Sequence, residues 1–364
     1  MSTFPQILST YQLGRLTLKN RVVLAPMTRG SAESDGRATE NMARYYARFA
    51  SGDFGLVITE SGYMDDTFSQ GLLNQPGITK DSHIQAWKGV TEAVHAQGGK
   101  IILQLAHAGA LSQVNPNSGQ TVAPSALKPE GERSPLYGKG GEFPTARALD
   151  IEEIKELIGN FAKAASNAEK AGFDGVEIHS ASGFLPDQFL TGYTNQRTDE
   201  YGGSLENRLR FLIETIEAVK AATGEDFVVG VRISQAKVNN FTYKWEHGEE
   251  DARVIFESIG AAKADYIHTY EYRALDPAFE ESGPTLAELA KKYGNTAVIA
   301  NGGLDQPADA AKMLEKGSDL IALAKAALSN HDWPKKVQNG QPIEPFTGDV
   351  LTPTPTLKEK ELLN

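Results

Sequence analysis

DIEEIKELIGNFAKAASNAEKAGFDGVEIHS, residues 150–180, decides the fold. Asp150 followed three positions later by Glu153 is a capping-box helix start. Ile151, Ile154, Leu157, Ile158, Phe161, Ala165 and Ala168 then recur at helical spacing, which gives one apolar face. Gly172 closes that helix. GVEIHS (175–180) follows at once as a short, nearly continuous apolar run. A helix running into such a strand is half of a βαβ unit, and repeated units build a parallel sheet.

The same kind of run recurs on both sides: RVVLAPM (21–27), GLVITES (55–61), KIILQLA (100–106), FVVGVRIS (227–234), YIHTYE (266–271), AVIANGG (297–303) and DLIALAKA (319–326). Their length and apolar continuity predict parallel strands buried on both faces, in a barrel or a doubly wound sheet. Further helices are predicted from Ser204 to a stop at Gly224, over 282–293 and over 305–314. YQLGRLTL (11–18) precedes the first strand and predicts a β-hairpin closing a barrel floor. Residues 107–149 are rich in Gly, Pro and Ser and carry no periodicity. A loop this long in a compact domain is functional, and after the third strand it predicts a capping insertion at the C-terminal face. The Pro/Thr-rich end, 352–364, is expected to be a flexible tail. Dividing 364 residues by a nominal 150 gives about 2.4 domains, but barrels with insertions are the exception, so one domain over 1–364 is expected.

Composition narrows the chemistry. There is no cysteine, which removes disulfides, Cys-bound zinc, iron–sulfur clusters and a thiol nucleophile. A net charge of −11 argues against general binding to nucleic acid or to an anionic membrane. No stretch reaches transmembrane length, and MSTFPQILSTYQLGRL has no basic start followed by an apolar run, so a cytoplasmic protein is expected.

In a barrel the chemistry sits at the C-terminal strand ends. Here these carry Pro26, Met27 and Thr28; Glu60 and Ser61; Gln104 and His107; Glu177, His179 and Ser182; Arg232; His268 and Tyr270; Asn301, Gly302 and Gly303; Ala324 and Lys325. Gly302 and Gly303, followed by Ala324 and Lys325 after the last strand, fit a phosphate site: glycine lets backbone N–H groups approach an anion, and a cation completes the charge. Gln104 and Arg232 end apolar strands, where a polar side chain must find a partner, which argues for a ligand with several oxygen or nitrogen acceptors.

These residues resemble the old yellow enzyme family of FMN-dependent ene-reductases. KNRVVLAPMTR (19–29), LQLAHAG (103–109), VRIS (231–234) and the NGG segment match its pattern, and AGFDGVEIHSASGFLPDQFLTGYTNQRTDEYGGSLENRLRF (171–211) is the most specific stretch. The resemblance implies an α/β fold, a (β/α)8 TIM barrel with FMN across its C-terminal face. By matching positions, Pro26, Thr28 and Ser61 would contact the flavin ring and Gln104 its pyrimidine edge. Arg232 would stabilise negative charge on the reduced flavin, and Gly302, Gly303, Ala324 and Lys325 would surround the phosphate. It also implies NADPH or NADH as reductant, a small electrophilic alkene or nitro compound as oxidant, and His179 with Ser182 as the pair that binds the substrate oxygen.

The chain departs from the family pattern in places. The usual His-x-x-Asn or His-x-x-His followed by Tyr reads here His179, Ser182, Phe184, and Phe184 has no hydroxyl to donate a proton. Ala106 stands where tryptophan is common, which predicts a wider pocket, and Ala110 stands for a common arginine. Lys325 replaces a forked arginine at the phosphate with a point charge. Tyr270 and Tyr272 are the remaining candidate donors in the substrate pocket. Three other readings stay open. One is a metal-dependent hydrolase using His107, His179 and His268 near Glu60. Another is a Schiff-base lyase using Lys325. The third is a flavin-binding protein with little ene-reductase activity.

Overall fold

The computed structural model describes residues 3–138 and 140–362. The hairpin comes first, with β1 (Tyr11–Leu13) antiparallel to β2 (Leu16–Leu18). The eight barrel strands are β3 (Val22–Leu24), β4 (Leu56–Tyr63), β5 (Ile101–Ala106), β10 (Gly175–Ser182), β11 (Val228–Lys237), β12 (Tyr266–Tyr270), β13 (Ala297–Asn301) and β14 (Leu320–Leu323). They pair in parallel in chain order, and β14 returns to β3 to close the barrel. The fold is thus the closed (β/α)8 barrel, and closure leaves no edge strand exposed.

Helices α1 (Glu40–Ser51), α2 (Asp81–Ala96), α3 (Ile151–Lys170), α5 (Leu205–Ala222), α6 (Glu249–Ala261), α7 (Leu286–Gly294) and α8 (Pro307–Glu315) lie between successive barrel strands. Short helices α4 (Leu185–Leu190), α9 (Lys325–Ser329) and α10 (Trp333–Asn339) complete the set. The capping box at Asp150 and Glu153 is formed in both directions, and α3 buries Ile154, Leu157, Ile158 and Phe161. Among the described residues, no helix is long and apolar enough to cross a membrane.

The barrel interior changes character from floor to mouth. At the floor, Leu13, Leu16 and Leu18 of the hairpin pack with Val23, Ile58, Ile102, Val228, Tyr266, Ile299 and Leu320. Two residues further along several strands, and four beyond Val228 on β11, the side chains become Gln104, Glu177, Arg232, His268 and Asn301, all buried. The period of two puts these residues on the same inward face as the apolar floor. Gly230 makes this crossover feasible, because a Cβ there would overlap the ring of Tyr266.

The described part of residues 107–149 contains a short 3-10 turn (Gly109–Leu111) and four two-residue strands. These are β6 (Val122–Ala123) with β9 (Arg147–Ala148), and β7 (Glu132–Arg133) with β8 (Gly141–Glu142). Lys139 lies outside the described residues, as do Leu363 and Asn364 of the C-terminal segment. That segment was expected to be flexible; its described part instead packs on the barrel. Arg29 makes a bidentate pair with Glu361, Nη1–Oε1 2.5 Å and Nη2–Oε2 2.7 Å, both side chains being buried. Its Nε donates to the Pro355 carbonyl (2.8 Å), and the Leu357 N–H donates to Ser31 Oγ (2.9 Å). An arginine buried this fully requires a carboxylate partner, and among the described residues Glu361 of the chain end forms its ion pair.

Candidate active site

Glu177 is the centre of the polar layer. Its Oε1 accepts from Gln104 Nε2 at 2.8 Å, and its Oε2 accepts from His268 Nδ1 at 2.8 Å and from the Tyr266 hydroxyl at 3.1 Å. A carboxylate only accepts, so the amide NH2 of Gln104 and a protonated Nδ1 of His268 must face it. Burial raises the Glu177 carboxyl, but His268, Arg232 and Gln104 outweigh burial and hold it below the usual carboxylate range. Burial lowers His268 more than Glu177 raises it, so the ring stays neutral beside an ionised carboxylate. The other face of Gln104 is also engaged, since its Oε1 accepts the Ser61 hydroxyl.

Arg232 Nη2 donates to Asn301 Oδ1 (2.9 Å) and Nη1 to the Pro26 carbonyl (3.4 Å). Its guanidinium carbon lies 4.5 Å from the centre of the Tyr270 ring, a cation–π contact. Its Nε is buried and has no partner among the described residues, and the same holds for His179 Nδ1 and His268 Nε2. Burial, then the Arg232 charge, pulls His179 down to about 3, so it is neutral at any physiological pH.

Beyond His179 the strand bulges. The β10–β11 register shifts between Ser180 and Ser182, and Ser182 takes the left-handed conformation at φ 63°. A non-glycine residue there costs on the order of 1–3 kcal/mol and persists only where its surroundings impose it. Here Ser182 N–H donates to Ser234 Oγ (2.8 Å) and its carbonyl accepts from Val238 N–H (3.1 Å). The bulge turns the chain so that the Phe184 ring packs on His179, centroids 4.3 Å apart.

Two of the cavities at this end of the barrel hold sequence-predicted site residues. One, about 440 Å³, is lined by Thr28, Glu60, Ser61, Leu111, Phe184 and Phe241 among others. The second, about 460 Å³, is lined by Tyr270, Tyr272, Asn301, Gly302, Gly303, Ala324 and Lys325. Gly302 adopts φ 137° and passes so close to the Glu271 carbonyl that a Cβ would collide, so only glycine fits. The structure therefore gathers Thr28, Ser61 and Phe184 at one opening, the glycine pair with Ala324 and Lys325 at the other, and Gln104, Arg232 and His179 in the polar layer. Tyr270 and Tyr272 line the glycine–lysine cavity rather than the cavity that holds Phe184, and Tyr272 is 85% exposed. Ala106 is buried at the end of β5, and Ala108 lines the 440 Å³ cavity instead. His107 Nδ1 accepts the Gly109 N–H (3.0 Å), and its Nε2 lies 3.9 Å from Asp65 Oδ2. Among the described residues no three His, Asp or Glu side chains come together to hold a metal ion, so the three histidines of the hydrolase reading form no cage.

The unpartnered Arg232 Nε and His179 Nδ1, with the glycine turn and Lys325 at the far opening, fit a planar ring rich in acceptors that carries a phosphate. The residue reading missed Tyr266 and left Glu177 without a role. The inward alternation that places Arg232 and His268 is the signal that finds both. Tyr137, Phe143, Val238 and Phe241 also line the 440 Å³ cavity, and no local pattern marks them.

A family model described as the NADH:flavin oxidoreductase / NADH oxidase family matches residues 7–344. NADH oxidase from Thermoanaerobacter brockii is 34% identical over 354 residues, 94% of this chain; the chain spans about half (52%) of that protein. 12-Oxophytodienoate reductase 2 from Arabidopsis thaliana is 35% identical over 352 residues, 93% of this chain and 90% of that protein. The solved structure of the old yellow enzyme homologue from Zymomonas mobilis superimposes with a TM-score of 0.88 at 32% identity, covering 98% of each chain. The chain belongs to the NADH:flavin oxidoreductase / NADH oxidase family, that of the old yellow enzymes, and is an FMN-dependent oxidoreductase supplied by a nicotinamide nucleotide.

Proposed function

We propose that this protein uses NADPH or NADH to reduce the activated double bond of a small electrophilic alkene. The carrying observation is the pair of buried unpartnered nitrogens, Arg232 Nε and His179 Nδ1, at the barrel mouth. Pro26, Thr28, Ser61, Gln104 and Arg232 would hold the flavin ring, and Gly302, Gly303, Ala324 and Lys325 its phosphate. FMN, when bound, supplies a hydride at N5.

The chain's own residues supply the rest. Arg232 is a cation fixed by Asn301 and the Pro26 carbonyl, so it supports negative charge beside it without reorganising. His179, neutral at working pH, offers an N–H to the substrate oxygen and acts as a hydrogen-bond donor rather than an acid. Ser182 would add a second, shorter donor. Phe184 shields that contact from water and offers no proton. Residues 107–149 would form the roof through Leu111, Gln113, Ser134 and Phe143, which line the 440 Å³ cavity.

The test is spectroscopic. The purified protein is expected to be yellow, to bleach anaerobically with NADPH or NADH, and to regain colour on adding an α,β-unsaturated ketone or a nitroalkene. A protein that bleaches but is reoxidised only by oxygen supports the flavin-binding reading with little ene-reduction. A colourless protein that takes up no FMN overturns the assignment.

A further inference from the structure

The site lacks a hydroxyl at Phe184, yet reducing a double bond requires a proton as well as a hydride. We propose that Tyr137, contributed by the capping segment, is the proton donor. This rests on the ene-reductase reading above.

Tyr137 lines the same 440 Å³ cavity as Phe184, Thr28 and Ser61. It sits in the loop between β7 and β8, whose ends are joined by the Glu132–Glu142 and Arg133–Gly141 pairs. Gln113 anchors that loop: its Oε1 accepts the Ser134 N–H at 2.6 Å, and its carbonyl accepts from Arg133 Nη1 at 3.5 Å. Tyr137 N–H closes the turn on the Ser134 carbonyl (3.2 Å). Among the described residues no hydrogen bond engages its hydroxyl, which leaves that proton available. Burial, then Tyr270, raises the phenol above its ordinary value, so it stays protonated at neutral pH.

The other groups are less suited. The Ser61 hydroxyl is committed to Gln104. Glu60 faces the cavity, but its Oε2 accepts the Arg29 and Gly30 amides (3.0 and 2.7 Å) and its Oε1 lies 3.4 Å from the Tyr46 hydroxyl. Tyr270 is stacked on Arg232. Thr28 is an aliphatic alcohol, a far weaker acid than a phenol. In the proposed step the C=C π bond breaks, and the β-carbon takes the hydride with its electron pair. The α-carbon takes the Tyr137 O–H proton. Water then returns a proton to the phenolate, and the nicotinamide nucleotide restores the reducing equivalents.

Tyr137→Phe should keep its FMN content, its visible spectrum and its rate of flavin reduction by NADPH. Its affinity for a saturated ketone, read from the flavin absorbance of the oxidised holoenzyme, should also hold. Its alkene half-reaction should fall at least about a hundredfold, the lower end of the usual range for losing a positioned acid. In deuterium oxide, wild type should place α-deuterium on one face of the product, whereas Tyr137→Phe should scramble it. Adding Phe184→Tyr to that variant should restore rate and facial selectivity. A Tyr137→Phe variant with wild-type rate and single-face deuterium overturns the role of Tyr137 alone. A wild type that NADPH reduces but no alkene reoxidises overturns the ene-reductase reading as well.

Discussion

The polar layer of the barrel and the roof above it solve opposite problems. In the layer, Gln104, Glu177, Tyr266, His268, Arg232 and Asn301 come from five strands and form two hydrogen-bonded groups, Glu177 with Gln104, Tyr266 and His268, and Arg232 with Asn301. Arg232 joins the two electrostatically, since its charge helps hold Glu177 ionised. The roof is built from loops, and the loop after β11 beside it leaves Phe241 78% and Val238 46% exposed. Strands hold a charge in a fixed place, which is what electrostatic preorganisation needs. Loops can change side chains without unpairing a buried charge. By the sequence resemblance, the departures from the family pattern fall on the substrate side (Ala106, Ser182, Phe184), while the residues proposed to hold the ring match it.

The contrast breaks most decisively at Glu177. Glu177→Leu leaves Arg232 without its buried counter-charge and orphans Tyr266 and His268, so it should cost about 3–5 kcal/mol and release FMN. Urea unfolding and flavin content read this directly, and Glu177→Gln should lose less. A Glu177→Leu protein with an unchanged midpoint and a full flavin load would show that the layer is not organised around this carboxylate.

A smaller effect lies in pH. Folded His179 titrates near 3, against 6.5 for the free side chain. Between those values the unfolded chain binds a proton that the folded chain refuses, so stability should drop as pH falls from 6.5 toward 3. The slope is at most about 1.4 kcal/mol per pH unit from this group. Glu60, raised to about 7 by burial, acts in the opposite sense between 4.5 and 7. Thermal unfolding across pH 4–6.5 should therefore steepen in Glu60→Gln and flatten in His179→Asn. Equal slopes in all three proteins would contradict the burial of these groups.

At the phosphate end Lys325 is exposed and solvent screens its charge. Lys325→Ala should weaken FMN binding by no more than about tenfold, an effect that fades with added salt. Lys325→Arg should recover or exceed wild-type affinity. A flavin titration at two salt concentrations measures both. The smallest effect should come from Phe184→Tyr in an otherwise intact protein. With Tyr137 in place, a second phenol should change the alkene half-reaction by less than about threefold. A tenfold gain would mean that the missing hydroxyl is not replaced from the roof.

Much of this was legible along the chain. The capping box at Asp150, the apolar stripe to Ala168, the stop at Gly172 and the eight buried runs are local signals, because helix and strand propensity act over a few residues. The inward period of two also places Gln104, Arg232 and His268 on one face. The tertiary structure alone decided what these residues do together. Glu177 meets Gln104 across 73 positions and His268 across 91. Arg29 meets Glu361 across 332, turning an apparent tail into a strap. Tyr137 enters the site from a segment with no periodicity. Pairings that close such long loops leave no local trace: their cost is chain entropy and their gain is burial, and both are settled only when the barrel closes.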